Sequence, residues 1–184
     1  MADLATFIER LGTPIVFGTA GSTVIAGGYT TTAVITLDAL ADGAGRMSAE
    51  VDLGADHAEE YLIQACVETG TAPAATGVAA DFYLAWSGDG TNYPAGVTGS
   101  DGAWPADSNE DEWARQLGSP ATSLIATADA DAVQIQNAVR VRCKGRYVVL
   151  VVDNNLGQAF RDEATAANNS SGLVMWPITR VATS

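Results

Sequence analysis

The stretch YVVLVVDNN, residues 147–155, constrains the fold more than any other part of this chain. From Val148 to Val152 every side chain is apolar, so the run has no polar face to turn toward water. A strand of this kind must be covered on both sides and belongs in the middle of a sheet. One face would meet a second sheet. The other needs a separate cover, and the chain offers two candidates: its N-terminal segment and a long insertion at residues 87–120. Asn154, Asn155 and Gly157 follow as turn residues that tolerate positive φ.

The remaining apolar segments have the same texture. IVFG, YTTTAVITL, SAEVDL, EYLIQACVET, DFYLAWS, TSLIAT, AVQIQNAVRVRC and GLVMWPITRV are rich in Val, Ile, Thr and aromatic residues and are separated by glycine and other turn formers. In DFYLAWS, Phe82, Leu84 and Trp86 alternate with Asp81, Tyr83 and Ala85, the period of a strand. The expected fold is mainly β: an antiparallel, jelly-roll-like β-sandwich of about eight or nine strands. With 184 residues, one domain over 15–184 is expected, preceded by an arm at 1–14.

The arm is expected to be helical. Leu4, Phe7, Ile8 and Leu11 fall at helical spacing behind Asp3, and Gly12 with Pro14 ends the pattern. Such a short helix is unstable alone, so its apolar stripe must rest on this domain or on another subunit. The insertion opens with WSGDGTNYPAGVTGSDGAW, and SNEDEWARQL then predicts a short helix with Ser108 as its cap. Connections of this length without regular sheet serve function or assembly. Trp86, Tyr93, Trp104 and Trp113 cluster here. Exposed, they would stack on sugar rings or anchor a protein partner; buried, they would form the insertion's own small core.

Charge narrows the choice of partners. The formal net charge is −13, with 22 acidic and 9 cationic residues, which opposes wrapping of nucleic acid or docking on an anionic membrane. No run of apolar residues reaches membrane-spanning length, and the N-terminus lacks the pattern of a signal peptide. Cys66 and Cys143 have neither zinc-knuckle nor CxxC spacing and read as buried free thiols. The single histidine, His57, lies in an acidic turn, DLGADHAEEY, with no nucleophile context. Asp89, Thr91 and Asn92 resemble half of a calcium loop but lack its later bidentate carboxylate, which favours a turn. The reading is therefore a non-enzymatic protein with no cofactor and no metal.

VRVRCKGRY stands apart. Arg140, Arg142, Lys144 and Arg146 are four of the nine cations, and strand geometry places the first three on one face while Val139, Val141 and Cys143 turn inward. Gly145 is positioned to bulge the strand and redirect Arg146. This stripe would either guard a sheet edge against association or dock on an acidic patch of another subunit.

From about residue 80 to 181 the chain resembles a group of structural proteins from tailed bacteriophage particles. The resemblance is carried by DFYLAWSGDGT, YPAGVTGSDGAW, LIATADADAVQIQ, KGRYVVLVVDNNLGQAF and the last strand with Pro177-Ile178. It implies a virion component without catalytic residues, a capsid decoration or cement protein on the outer capsid surface. Its partners would be the major capsid protein and copies of itself. Leu4, Phe7, Ile8, Leu11, Arg140, Arg142, Lys144, Tyr93 and Trp104 are the expected interface residues. A phage tail or neck component is the close alternative. A carbohydrate-binding sandwich, with a glycan as partner, is the alternative from another class.

Overall fold

A computed structural model describes residues 6–70, 78–104, 110–125, 127, 132–163, 165 and 168–183. Along the chain run β1 (Thr6–Leu11), β2 (Ile15–Gly18), α1 (Val24–Gly27), β3 (Tyr29–Thr30), β4 (Ala33–Val34), β5 (Ala44–Met47), β6 (Val51–Asp52) and β7 (Glu60–Glu68). There follow β8 (Ala79–Ser87), β9 (Gly102–Trp104), α2 (Glu110–Leu117), β10 (Thr122–Ile125), β11 (Val133–Ile135), β12 (Val139–Arg142), β13 (Tyr147–Asn155) and β14 (Gly172–Thr183).

Apart from β3, which makes only isolated bridges, these strands form two sheets that are antiparallel except where β2 meets β4. The first has the order β11-β7-β14-β2-β4, with β1 added to β14 and β12 to β7. The second has the order β10-β8-β13-β5-β9, with β6 added to β13. Inner side chains of both sheets make the main core: Phe17, Ile63, Val67, Leu173 and Met175 on one side, and Phe82, Leu124, Val148, Leu150 and Val152 on the other. This is a β-sandwich, as the alternation in β8 and β7 requires.

Val148 through Val152 are all at 0 % exposure, which fits the demand of an unbroken apolar run for cover on two faces. Val148, Leu150 and Val152 face the opposing sheet. Val149 and Val151 face outward and lie beneath the insertion, whose Ala95, Val97 and Trp104 are themselves buried there. The insertion, rather than the N-terminus, supplies the second cover.

Its fixings explain why a glycine-rich segment holds one conformation. Trp104 Nε1 donates to the Ala95 carbonyl at 2.8 Å, and the Ala95 N–H donates to Gln116 Oε1 on α2 at 3.0 Å. Contrary to an irregular reading, the insertion adds the short strand β9 to β5. That pairing needs Gly45, where a Cβ would stand 1.9 Å from the Trp104 carbonyl oxygen. The Trp113 ring lies over Gly96, which sits at φ 63 where glycine is favoured. The expected helix appears as α2, while its expected cap, Ser108, lies outside the described residues.

The helical arm is corrected. Residues 6–11 are a strand, paired with β14 from Thr6↔Thr183 to Leu11↔Ile178. A two-turn helix would leave most of its terminal backbone groups without partners, whereas β14 offers a ready hydrogen-bonding edge. TFIERL also contains Thr, Phe and Ile, residues at ease in a pleated strand. The strand count is higher than expected because β1, β5 and β9 fall outside the expected strand segments and two long segments divide. YTTTAVITL yields only β3 and β4, and AVQIQNAVRVRC breaks into β11 and β12.

Candidate functional site

The expected interface residues fall into three places. Leu4 lies outside the described residues. Phe7 pairs with Ala182 through β1 and β14, and Ile8 and Leu11 on the same strand are 45 % and 54 % exposed. Beyond Ile178 the ribbon of β1 and β14 runs on without β7, whose pairing with β14 ends at Ile178↔Glu60. Val181, opposite Ile8, is 43 % exposed. The ribbon therefore carries apolar side chains into solvent and, among the described residues, has no third strand beside residues 179–183.

At the base of this ribbon the arm and the cationic strand meet. Register explains how: β1 pairs with β14, β14 with β7, and β7 with β12, with Glu9, Arg180, Glu60 and Arg140 on the outer face. Arg140 Nη2 stands 2.7 Å from Glu9 Oε2 and Arg140 Nη1 3.3 Å from Glu60 Oε2. Arg180 reaches the same two carboxylates at 3.5 and 3.2 Å. The bond from Arg140 lowers the Glu9 pKa, and the Glu9 carboxylate raises that of Arg140. These pairs are solvated, so they fix the register of the arm more than they stabilise it. Arg180 and Glu9 escaped sequence reading. The period-two pattern of TFIERL and its pairing with the last strand were the signal, masked by an equally good helical spacing.

Arg142 and Lys144 lie farther along the cationic strand and form no ion pair among the described residues. They border a groove of about 230 Å3 whose other walls include Leu84, Trp86, Pro120 and Val141. Val141 and Cys143 turn inward against the core, as strand geometry requires, but Val139 is 36 % exposed. Arg146 is redirected after Gly145 and forms a two-pronged bond to Asp52, at 2.7 and 2.6 Å. Its guanidinium also lies 5.0 Å from the Tyr147 ring centroid.

The insertion's aromatics are largely committed internally. Trp104 is 1 % exposed, so it has no ring face for a partner and is removed from the interface set. Tyr93 is half-buried and donates its hydroxyl to Glu50 Oε2; burial first and that carboxylate second raise its pKa. Trp113 packs on the same outer core.

The acidic turns are occupied by the chain itself. Asp89 Oδ1 accepts the N–H groups of Thr91 and Asn92, each at 2.9 Å, and Oδ2 accepts the Asn92 side chain at 2.7 Å. These bonds hold its pKa far below the usual carboxylate range. His57 Nδ1 lies 2.9 Å from the Gly54 carbonyl, in the turn that Asp52 closes by accepting the Gly54 N–H. Among the described residues no three His, Cys, Asp or Glu side chains gather as a metal site. Burial pushes the Cys66 thiol up to about 12, which leaves it a poor nucleophile. Cys143 is only half-buried, which departs from the expected buried thiol.

Comparison of the chain with protein-family models, curated proteins and solved structures gives no match.

Proposed function

We propose that this chain is a non-enzymatic structural protein of a tailed-phage particle, a capsid decoration or cement protein that binds the outer capsid surface and bridges subunits. The observation that carries the reading is the ribbon of β1 and β14. It extends past the sandwich with Ile8 and Val181 exposed, has Leu11 exposed at its root, and is anchored there by Glu9, Glu60, Arg140 and Arg180. A two-stranded ribbon is marginal on its own in water, so a neighbour that covers it lowers the free energy of the assembled state. The sequence resemblance over residues 80–181 supports the same assignment. Its partners are the major capsid protein and further copies of this chain, with the ribbon reaching between them.

The test mixes purified protein with undecorated particles and measures co-sedimentation and the temperature of release. Binding that saturates with the number of lattice positions is expected. Retention on isolated tails with no binding to any capsid would sink the proposal in favour of the tail or neck. The glycan alternative loses support here because Trp104 is buried and Tyr93 is held by Glu50.

A further inference from the structure

Among the described residues, one long side of the sandwich is left open in both sheets. In the second sheet β10 covers β8 only from Ala79 to Phe82, so among the described residues Tyr83–Ser87 has β13 on one flank and no strand on the other. The Leu150 N–H donates to Ser48 Oγ, away from β8, which makes Leu84↔Leu150 a non-hydrogen-bonded pair. The Leu84 N–H and C=O therefore point to the open flank. Phe82, two residues earlier, directs its carbonyl the same way, to the Ala121 N–H at 2.7 Å. Period two sends the Trp86 backbone to that flank as well.

The first sheet ends alongside in β12, which among the described residues pairs only with β7. The Cys143 N–H donates to the Glu59 carbonyl at 2.8 Å, so alternation turns the backbone groups of Arg140 and Arg142 outward. Between the two free edges lies the groove of Leu84, Trp86, Val141, Arg142 and Lys144, which the segment from Leu117 to Ala121 also walls. Five of the nine cations are matched to carboxylates, namely Arg46, Arg140, Arg146, Arg161 and Arg180. Arg142 and Lys144 form no ion pair among the described residues, although Glu59 shares a neighbouring hollow with Arg142. An apolar floor and, among the described residues, a row of unpaired backbone groups and two uncommitted cations together fit one kind of ligand.

We propose that this seam docks an acidic extended segment of a protein partner, which adds as a strand to the free edge of β8. Its apolar side chain enters against Leu84, Trp86 and Val141, and its carboxylates meet Arg142 and Lys144. Backbone pairing supplies affinity, and the alternation of apolar and acidic side chains supplies selectivity. The inference stands without any role on a capsid, since it uses Arg142, Lys144 and the edge of β8, none of which belongs to the ribbon, although β12 also reaches the ribbon's base through Arg140.

A short capped peptide alternating glutamate and leucine is the probe, and amide hydrogen exchange of the full chain is the readout. Slower exchange at Leu84 and Trp86 is expected, with a shift of the Trp86 indole resonance. The double variant Arg142→Glu, Lys144→Glu, whose side chains are solvent-facing, should fold normally and bind on the order of tenfold more weakly. A lysine–leucine peptide should not bind, and a backbone N-methylated glutamate–leucine peptide should lose the amide protection. Unchanged exchange at saturating peptide would overturn the proposal. So would equal binding by the lysine peptide, full binding by the N-methylated peptide, or protection at β1 instead. Inorganic phosphate that reproduces the indole shift and competes fully with the peptide would reduce the seam to a bare anion site.

Discussion

At the scale of single residues, most of the chain's chemistry is spent on holding loops. Asp52 takes a two-pronged bond from Arg146 and the Gly54 N–H, and these lower its carboxyl pKa to about 2. A carboxylate with a depressed folded pKa adds stability that is present above its unfolded value and is lost as pH falls through about 2. Carbon-detected titration should find Asp52 near that value, and Arg146→Ala should return it toward the ordinary carboxylate range. A titration unaffected by Arg146→Ala would show that the guanidinium is not the cause. Asp101 behaves similarly at the insertion. Burial pushes its pKa up, but bonds from Arg46, at 2.8 Å, and from Thr36 more than offset this and keep it low. It ties the insertion to the strand β5 and to the segment after β4. Glu68, the buried last residue of β7, accepts the Ser170 N–H at 3.1 Å and pairs with Arg161 at 3.2 Å. Burial without those partners would be costly, so this carboxylate explains why the irregular segment before β14 keeps its course.

At the scale of elements, the insertion acts as a third layer over half of the second sheet. Trp104 is its anchor, fully packed against Met47, Tyr83, Val149 and Val151 in the outer core and bonded to the Ala95 carbonyl. Trp104→Ala should cost about 3–5 kcal/mol in chemical denaturation, since it opens a large cavity beneath the loop. Trp104→Phe should cost less, because it keeps part of the packing while losing the bond to Ala95. Equal stability of wild type and Trp104→Ala would mean that the insertion does not contribute to the core. How far such elements were legible depended on whether their pattern was local. Val148–Val152 demanded two covers by composition alone, and β8 announced itself by alternation. The N-terminal strand did not, because TFIERL satisfies helical and strand spacing alike and only the distant β14 decides between them. Arg140 was legible as an outward cation. Its neutralisation by Glu9 and Glu60 was not, since it depends on three strand registers at once. Trp104 could be read either way until the position of the insertion was known.

At the scale of the whole molecule, an acidic sandwich with a net charge of −13 needs local exceptions to associate with anything equally acidic. The ribbon provides one by exposing apolar surface whose paired acids and cations largely neutralise each other. Ile8 and Val181 face each other across β1 and β14 and are 45 % and 43 % exposed, so charges there disturb the sandwich core little. The double variant Ile8→Asp, Val181→Asp should unfold within about 1 kcal/mol of wild type, as exposed substitutions do. Its co-sedimentation with undecorated particles should nevertheless fall by on the order of tenfold or more, because buried apolar anchors dominate binding energy at interfaces. Salt should distinguish the two contributions. Loss of apolar contact lowers binding at every ionic strength, whereas contacts made by exposed charges weaken as salt rises. If the folded double variant sediments with capsids as wild type does, the ribbon is not the docking element, and the capsid reading would have to rest on another face of the molecule.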